Sequence, residues 1–509
     1  MPAAERGDTP VTQTPVPVNE SDVKTWSRSA DVVIIGLGVA GACAALEAHR
    51  AGAEVLVLER ASGGGGTSAT SEGIFYLGGG TGVQKACGYE DDAQELFKFL
   101  KASTSAEEDK LRAFADESAA HFDWLEAQGV PFERKAFTGK AVSLRQGEGC
   151  LLTTGNEKVW PYRDIARPAP RGHQVRRTEQ NSGAVAMAAL LERCADEGVT
   201  SLYDVQATAL IVNPDGRVVG VRIRQGASEI DVQARRAVIL ATGSFNANPE
   251  MLREHVPGLS STSNPIGIPY NDGSGMKLGA SVGGALVDMD GIIATASIYP
   301  PAQLVKGIIV NAKGERFVAE DVYHGRLASF IMEQPGQTAY LIVDAEIFDY
   351  PANTNAQHRL VDGWETVREM EVGLGLPEHA LEQTISAYND DARRGQDSVF
   401  HKHPDWVKPL TAAPYAAFDI SFNKSNYAFL TLGGLRTNAA AQVLDGAGKP
   451  LPGLYAAGAC AAQLPRDGKE YASGLTLGPG SFFGRVAGRH AAAEPATAVG
   501  EARTEARLA

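Results

Sequence analysis

The sequence predicts an α/β fold with a parallel sheet at its centre. Residues 31–35 form an apolar run that leads into closely spaced glycines and an alanine-rich helical stretch, and a second apolar run occupies residues 54–59. An apolar hairpin pattern precedes a third run at residues 237–240, and a fourth lies at residues 453–458. Short apolar runs that alternate with helices are typical of strands buried on both faces of a parallel sheet.

The bulk composition indicates an ordinary globular protein. A chain of 509 residues exceeds what one hydrophobic core usually serves, so we expect two or more domains. Hydrophobic residues make up 44% and charged residues 21% of the chain. The formal charge of -14, without a basic stripe, argues against nucleic acid as a partner. The longest apolar runs are of strand length, which predicts no transmembrane segment.

The cysteines and the termini carry no sign of chemistry. The five cysteines are scattered without CxxC or metal-site spacing, so we expect reduced thiols, no metal and a cytoplasmic location. Residues 1–27 mix Pro, Thr, Glu and Asp without an apolar core, which predicts a flexible N-terminal arm rather than a secretory signal.

The first glycine cluster predicts a dinucleotide site. Gly36 permits a tight turn after the first strand, Gly38 lets a pyrophosphate approach the backbone, and Gly41 lets helix and strand pack closely. The helix over residues 42–50 then points its N-terminus at the phosphates. Glu59 ends the second strand, where a carboxylate can accept hydrogen bonds from ribose hydroxyls. A βαβ unit with all of these parts favours a Rossmann-type nucleotide site over a structural turn.

Three later segments favour FAD over NAD. Residues 63–71 form a cluster of glycines and hydroxyls suited to wrapping a phosphate or the flavin edge, although a flexible loop is the alternative. A hairpin over residues 205–223, with an Asn-Pro-Asp-Gly turn, leads to the strand that ends in Ala241-Thr-Gly243. The run at 453–458 ends in a glycine, for which a buried packing strand is the alternative.

This order of segments resembles a known flavoprotein family. Residues 307–320, Thr431-Leu-Gly-Gly434 and Phe483-Gly-Arg485 extend the pattern. Together they resemble the fumarate reductase and succinate dehydrogenase flavoproteins over residues 28 to about 492. The resemblance implies FAD and a Rossmann-type, glutathione-reductase-like FAD-binding domain with an inserted α+β capping domain that binds substrate.

The resemblance also implies domain limits and a set of cofactor contacts. FAD binding is expected from residues 28–290 together with 415–509, and substrate binding from residues 291–414. The Leu477 backbone amide, at a helix N-terminus, is expected at the flavin pyrimidine. The cofactor-binding residues implied are Gly36, Gly38, Ala40, Gly41, Glu59, Arg60, Gly66, Thr67, Ser68, Ser71, Gly73, Ala207, Ala241, Thr242, Gly243, Asn246, Asp272, Gly273, Gly458, Ser473, Leu475 and Leu477.

The substrate side departs from the dicarboxylate-reducing members. Those members hold the substrate carboxylates with a histidine and an arginine, and the corresponding positions here are Leu430 and Tyr471. A diacid would lose its bidentate guanidinium partner, so we reject fumarate as substrate. A phenol can instead donate a hydrogen bond to a ketone oxygen. The pattern of Tyr471, Ser473 and Gly474, with Tyr323 upstream, looks most like the 3-ketosteroid dehydrogenases of this family that act on the C4–C5 bond.

This resemblance implies roles for three hydroxyls. Tyr471 is expected to bind the 3-keto oxygen of a small-molecule steroid, with Ser473 and Tyr323 as the C4 proton acceptor and its relay. Which of the three is the base stays open. Each has a structural alternative: a loop anchor for Tyr471, a turn or helix cap for Ser473, and core packing for Tyr323. His324 is interpreted as a surface or supporting residue.

Alternative functions remain open at this point. A 3-ketosteroid 1-dehydrogenase, an enone or dicarboxylate reductase, and a non-enzymatic flavin-binding module are all compatible with a flavin fold. An oxidoreductase also needs an electron acceptor, which the sequence does not identify.

Overall fold

The computed structural model describes residues 14–352 and 358–497. The α-helices are α1 Val39–Arg50, α2 Gly66–Thr70, α3 Gly82–Ala86, α4 Ala93–Ser103, α5 Glu108–Ala127, α6 Tyr162–Ile165, α7 Ser182–Asp196, α8 Pro249–His255, α9 Ser274–Ser281, α10 His324–Met332, α11 Val367–Gly373, α12 Ala380–Ala392 and α13 Leu477–Ala493. Short 3₁₀ helices occupy Glu20–Asp22, Ala302–Lys306, Pro335–Gln337, Pro404–Trp406 and Gly458–Cys460.

The strands are distributed along the whole described chain. They are β1 Val18–Asn19, β2 Trp26–Ile35, β3 Val55–Leu58, β4 Ile74–Tyr76, β5 Leu151–Leu152, β6 Gly172–Gln174, β7 Thr200–Leu202, β8 Val205–Val212, β9 Val218–Gln225, β10 Ser228–Leu240, β11 Asn264–Pro265, β12 Leu286–Val287, β13 Ile292–Thr295, β14 Ile308–Asn311, β15 Ala339–Asp344, β16 Arg359–Trp364, β17 Tyr415–Asp419, β18 Ala428–Thr431, β19 Gly434–Leu435, β20 Gln442–Leu444 and β21 Pro450–Ala456.

The central sheet confirms the predicted fold class. Its main path runs β1-β8-β9-β10-β2-β3-β7, and β21 joins it along β10. Strands β10, β2, β3 and β7 are parallel, and β21 also runs parallel to β10, with Val238 opposite Leu454. Segments from both ends of the chain therefore meet in one sheet, buried on both faces by helices and by the packed hairpin.

The predicted hairpin is also present. Strands β8 and β9 pair in antiparallel register, and the Asn213 side-chain oxygen accepts hydrogen bonds from the backbone N–H groups of Asp215 and Arg217. An asparagine that bonds the backbone two and four residues ahead closes this turn locally. The sequence signal and the observed geometry therefore agree.

The N-terminal segment differs from the predicted arm over residues 1–27. Val18–Asn19 pairs in parallel with Ile211–Val212, and Trp26, which begins β2, is only 3% exposed. Trp26 packs with Ile211 and Val219 in a small apolar cluster of its own. Burial of the indole is the physical reason that this part lies on the sheet rather than free in solvent. Residues 1–13 lie outside the described part of the chain.

Helices α1 and α13 pack at unusually short range beneath the sheet. A β-carbon on Gly484 would lie 2.4 Å from the Ala40 carbonyl oxygen, and one on Gly488 would lie 2.3 Å from that of Ala44. Only glycine therefore allows this approach. Because α1 follows the first glycine turn and α13 lies near the C-terminus, this contact joins the two ends of the chain.

The middle segment builds a separate sheet in the order β14-β15-β17-β16. Strand β17 begins at Tyr415, so this sheet continues past the predicted boundary at residue 414. The domain limits remain a prediction.

Four buried charges fix the segment that leads from this sheet to Tyr323. The Arg316 guanidinium pairs with Glu320 at 2.9 Å and with Asp397 at 2.8 Å, while the Lys402 ammonium lies 3.2 Å from Glu320. Although burial alone would raise the pKa of Glu320, Arg316 and Lys402 hold it below its usual value. Two cations and two anions balance, so no unpaired charge is buried in this cluster.

Among the described residues, no helix combines the length and apolarity needed to cross a bilayer.

A small antiparallel sheet, β4-β6-β5, supports the region near the C-terminal loop. Arg171 directly precedes β6. Its guanidinium pairs with Asp91 at 2.8 Å, and both side chains are fully buried. The Arg171 carbonyl accepts a hydrogen bond from Leu77 N, just after β4.

We predict that Asp91→Ala lowers the free energy of unfolding by about 3–5 kcal/mol, because it leaves the Arg171 guanidinium buried without a counter-charge. Urea denaturation followed by circular dichroism measures this change. Glu108→Ala, which breaks an exposed pair with Lys101, is the matched control and should have no measurable effect. Equal behaviour of the two variants would contradict the prediction.

Candidate functional site

A cleft of about 1290 Å³ opens at the carboxyl ends of the parallel strands. This is where open α/β sheets bind ligands. It brings together residues from the glycine turn, the 63–71 cluster, β8, β10 and the C-terminal segments. The predicted cofactor residues that line it are Gly36, Gly38, Ala40, Glu59, Arg60, Gly66, Thr67, Ser68, Ser71, Ala207, Ala241, Thr242, Gly243, Gly458 and Leu477.

The first glycine turn lies so close to the end of β10 that no side chain fits between them. Gly36 has φ +100°, and a β-carbon there would lie 2.4 Å from the Ala241 carbonyl oxygen. The turn therefore depends on glycine both for its backbone angle and for the close approach of β10. After the turn, Val39 N donates to Ser68 Oγ at 3.1 Å, which ties the 63–71 cluster to the start of α1.

Two helix N-termini open into the same cleft. Helix α1 begins after Gly38 and α13 begins after Thr476, and neither has a side-chain cap. Both flanking residues, and Val39 and Leu477 behind them, line the cleft. The helix dipoles make both ends favourable for negative charge. The N-termini of α1 and α13 together suit a ligand in which a pyrophosphate contacts one helix and a polar ring edge contacts the other.

Glu59 and Arg60 form the far end of the cleft. The Glu59 carboxylate accepts hydrogen bonds from Leu37 N and Ala61 N, both at 2.8 Å, and is therefore held in place by backbone. Its remaining lone pairs can accept ribose hydroxyls. The Arg60 guanidinium lies 4.9 Å from the centroid of the Tyr270 ring and pairs with Asp272.

One residue of the wall carries a buried hydroxyl without a hydrogen bond among the described residues. Thr242 lines the cleft, and its Oγ1 lies within the wall on the side of Gly275. A buried hydroxyl without a partner is costly, so a polar ligand group is expected to satisfy it. Together with the two helix N-termini and the fixed Glu59 carboxylate, this donor set fits FAD.

The other predicted cofactor residues lie behind the wall or beside it. The Asn246 amide donates to the Ile266 carbonyl, Asp272 is occupied by Arg60, and Gly273 begins α9 with φ +75°. These three hold the wall in shape rather than line it. The remaining predicted residues outside the lining are Gly41, Gly73, Ser473 and Leu475.

The three predicted catalytic hydroxyls lie together. Tyr323 OH donates to Ser473 Oγ at 3.4 Å, and the rings of Tyr323 and Tyr471 have centroids 6.0 Å apart. The Tyr471 hydroxyl is 3.1 Å from Thr476 Oγ1, and Thr476 lines the cleft. Residues almost 150 positions apart in the sequence therefore form one cluster next to the N-terminus of α13.

The loop that carries Tyr471 and Ser473 is pinned from two sides. Ser473 N donates to the Thr154 carbonyl at 3.1 Å, and Thr154 Oγ1 donates to the Ser473 carbonyl at 3.0 Å. Gly474 has φ +98°, and a β-carbon on it would lie 2.6 Å from Tyr76 N. Glycine is thus required for the loop to lie against β4. The hydroxyls project from a fixed backbone.

Tyr323 is held from the other side. Its backbone N–H donates to Asn156 Oδ1 at 3.0 Å, and its ring packs edge-on against His324 with centroids 4.1 Å apart. His324 is only 4% exposed, so of the two interpretations the surface residue is wrong and the supporting residue is compatible with its contact to Tyr323. Its Nδ1 lies 2.6 Å from Thr295 Oγ1, and Nε2 has no hydrogen-bond partner among the described residues. Burial lowers the pKa of His324 to about 3, which keeps the ring neutral near pH 7.

Burial raises the pKa of both tyrosines. The pKa of Tyr323 lies well above its usual value, first because of desolvation and then because of the neighbouring Tyr471 phenol. The pKa of Tyr471 is also raised by burial, partly offset by Thr476. Both phenols are therefore neutral at physiological pH and are available as hydrogen-bond donors.

The cleft has no carboxylate-binding pair of cations. Of the described residues in its lining, Arg60 carries the only guanidinium and none is a histidine. Arg60 is already paired with Asp272 at the nucleotide end. Leu430, at the position expected for a histidine, lines the wall as an apolar residue. A dianionic substrate would have no charge partner here.

Sequence reasoning missed several residues of the site. Thr476 links Tyr471 to the cleft, Tyr270 stacks on Arg60, and the Asn271 amide donates to Thr67 Oγ1 at 2.7 Å. Thr476 lies one residue before a predicted helix start, so its position at the cleft could have been inferred. No motif marks Tyr270 or Asn271, whose contacts join segments about 200 residues apart.

Comparison with known families supports the cofactor. The family described as "FAD binding domain" matches residues 31–466. A 3-oxo-5-alpha-steroid 4-dehydrogenase from Comamonas testosteroni is 30% identical over 508 aligned residues, covering 87% of this chain and 94% of that enzyme. Both observations confirm a flavoprotein with FAD as its cofactor.

Comparison with solved structures agrees. The structure of a 3-ketosteroid-delta4-(5alpha)-dehydrogenase from Rhodococcus jostii, in complex with 4-androstene-3,17-dione, is 39% identical with a TM-score of 0.88. The alignment covers 94% of this chain and all (100%) of that one. A 3-ketosteroid delta1-dehydrogenase from Sterolibacterium denitrificans, at 22% identity and TM-score 0.66, covers 92% and 100% and shares the fold.

We predict that Thr242→Val weakens FAD binding roughly 10-fold, because the loss of one hydrogen bond to a buried ligand group costs about 1–1.5 kcal/mol. Titration of apoprotein with FAD, followed by flavin fluorescence, gives the dissociation constant. Thr104→Val removes a buried hydroxyl that bonds its own helix, so it should leave that constant unchanged. An unaltered constant for Thr242→Val would show that FAD does not use this hydroxyl.

Proposed function

The chain belongs to the FAD-binding-domain family of flavoproteins that includes 3-oxo-5-alpha-steroid 4-dehydrogenase, and on that basis we propose that it converts 5α-3-ketosteroids to 4-ene-3-ketosteroids. The observation that carries the proposal is the buried, uncharged cluster of Tyr323, Tyr471 and Ser473 beside the FAD cleft. FAD, when bound, supplies the acceptor for the hydride that leaves C5.

Tyr471 is proposed to bind the 3-keto oxygen. Its raised pKa keeps the phenol protonated, so it can donate a hydrogen bond to the oxygen on which charge develops when C4 loses a proton. The buried setting strengthens that bond because no bulk water competes for it. Thr476, 3.1 Å from the phenol, orients it towards the cleft.

Ser473 and Tyr323 are proposed to take the C4 proton and pass it on. Their hydroxyls are already in hydrogen-bond contact, and each hydroxyl can accept one proton while it donates another. Neither needs to become an anion in such an exchange, which matters because burial disfavours the phenolate of Tyr323. Asn156 Oδ1 holds Tyr323 in place by accepting a hydrogen bond from its backbone N–H.

The apolar wall is proposed to select a flat, neutral ring system. Leu430 lines the cleft, and because strand β13 pairs with β18, Ile293 lies opposite it in the sheet. Apolar side chains at this position exclude carboxylates and favour hydrocarbon rings. This arrangement disfavours a dicarboxylate reductase.

The location and the acceptor are also part of the proposal. The cysteines within the described residues are unpaired, which is consistent with the reduced thiols of a cytoplasmic enzyme. Each turnover removes two electrons from the substrate, so a separate electron acceptor must collect them.

The direct test is anaerobic titration of the holoenzyme with 5α-androstane-3,17-dione. We expect the oxidised flavin absorbance to bleach, and we expect mass spectrometry and NMR to identify 4-androstene-3,17-dione as the product. A 1-ene product would instead identify a 1-dehydrogenase. Absence of bleaching with every ketosteroid tried would reject steroid dehydrogenation and leave a flavin-binding module.

We predict that Tyr471→Phe slows flavin reduction roughly 10²–10³-fold, because it removes one preorganised donor to the developing oxyanion. FAD content should stay at the wild-type level. Stopped-flow absorbance gives the rate, and Tyr427→Phe is the control, since it removes a buried phenol that bonds only the Ile420 carbonyl. Parallel loss of FAD and rate in Tyr471→Phe would indicate a structural role.

A further inference from the structure

A second pocket, whose open space of about 670 Å³ includes adjoining solvent, has Tyr323 and Thr154 in its wall. It shares no lining residue with the FAD cleft, so the buried hydroxyl cluster lies between two separate spaces. Its other walls carry charged and polar groups from distant segments, including Lys140, Asp321 and His403. We call this space the polar chamber. The mechanism above makes no use of it.

The polar chamber contains a carboxylate oxygen without a partner. Asp321 is 4% exposed, and its Oδ2 accepts a hydrogen bond from His403 N at 2.9 Å. Its Oδ1 is buried and has no hydrogen bond within the described chain. A buried carboxylate oxygen is rarely left unpaired, and a polar cavity of this size is roomy enough for water to satisfy it.

Lys140 supplies a cation to the same chamber. Its Nζ donates to the Asp321 main-chain carbonyl and lies 5.0 Å from the centroid of the Tyr299 ring, and within the described residues it forms no ion pair. Burial of this ammonium lowers its pKa to about 8. The titratable groups that act on it or face it are Asp321, Glu157, Lys402, Lys158, Tyr299 and His324.

The hydroxyl cluster needs a group outside it that can accept a proton. Both tyrosines are buried with raised pKa values, and a serine hydroxyl is not basic. The only side-chain hydrogen bond described for Tyr323 OH is the one to Ser473, so no carboxylate in the described chain contacts the phenol. The polar chamber borders Tyr323 and therefore offers an exit to a proton that leaves through this phenol.

We propose that the polar chamber is the proton outlet of this site and that neutral Lys140 is the terminal acceptor of the C4 proton. The proposal rests on the dehydrogenation proposed above. The C4–H bond breaks, its electron pair becomes part of the new C4–C5 double bond, and the C5 hydride goes to FAD. The proton moves to Ser473 as the serine's own hydroxyl proton passes to Tyr323, and an equivalent proton leaves Tyr323 through chamber water. Lys140 takes up that proton as an ammonium and releases it to solvent before the next measurement point, so that release keeps pace with flavin reduction.

Both hydroxyls in this path have the same protonation state before and after the transfer. Ser473 and Tyr323 each gain one proton and give up one, so no phenolate or alkoxide accumulates in the buried cluster. Only Lys140 changes charge, and it does so in a hydrated space rather than in the apolar cluster. The Asp321 carboxylate beside it stabilises the ammonium after transfer.

The proposal predicts a pH dependence of defined sign. An amine accepts a proton only when it is neutral, so raising the pH through the lowered Lys140 pKa of about 8 should increase the rate of flavin reduction. Lys140→Met removes the acceptor, and Lys140→Arg keeps a positive charge that does not deprotonate. Both variants should reduce flavin roughly 10²-fold more slowly at high pH and lose the rise.

The experiment follows two signals after anaerobic mixing of holoenzyme with 5α-androstane-3,17-dione in weak buffer. Flavin absorbance reports hydride transfer, and a pH-indicator dye reports proton release. In the wild-type enzyme the two signals should coincide, whereas in both Lys140 variants proton release should lag behind bleaching. Lys158→Met, at an exposed lysine on the same chamber, is the control: it removes a neighbouring charge but not the acceptor, so proton release should still coincide with bleaching.

Three results would overturn the proposal in distinguishable ways. If the Lys140 variants keep the wild-type pH profile and simultaneous proton release, the chamber is not the outlet, while the proposed function stands. If they raise only the substrate KM, the chamber binds steroid instead. If steroid does not bleach even the wild-type flavin, the proposed function fails and the outlet fails with it. Equal FAD absorbance in all variants verifies that each is folded.

Discussion

The close packing of α13 on α1 is the constraint on which the rest of the structure depends. Gly484 and Gly488 let α13 approach the α1 backbone at distances that any β-carbon would prevent. Since α1 starts at the first glycine turn and α13 starts at Leu477, this contact places two positive helix ends in one cleft. The loop that carries Tyr471 and Ser473 immediately precedes α13, so the same contact sets the position of the hydroxyl cluster relative to the FAD cleft.

Burial then determines which chemistry that cluster can perform. Desolvation raises the pKa of Tyr323 and Tyr471 and lowers that of His324, so all three groups are neutral near pH 7. A neutral site binds a ketone through a hydrogen bond and offers nothing to a carboxylate. The same burial leaves the site without a strong base of its own. Substrate preference and the need for a proton outlet thus have one physical origin.

Local chemistry explains what could be predicted from the sequence. The turn at Gly36 and the hairpin closed by Asn213 depend on residues a few positions apart, so their patterns are visible in the sequence and appear in the structure. The contacts that escaped prediction are long-range. Trp26 lies on a strand formed some 190 residues later, and Lys140 meets the carbonyl of Asp321, 181 positions away. No turn residue, periodicity or spacing predicts these long-range contacts, because they depend on how whole segments pack together.

In the proposed mechanism, the two spaces beside the hydroxyl cluster give the hydride and the proton different routes. The FAD cleft is mostly apolar around Leu430 and Leu477, whereas the polar chamber contains Lys140 and an unpaired oxygen of Asp321. Dehydrogenation removes a hydride, which the flavin accepts, and a proton, which water must carry away. Water admitted to the flavin side would weaken the hydrogen bond from Tyr471 to the developing oxyanion. Under the proposal, a wall of buried hydroxyls resolves this conflict, since it would pass protons and exclude solvent. The hydrogen bond of Ser473 to Thr154 and the close approach of Gly474 to Tyr76 fix the backbone of that wall.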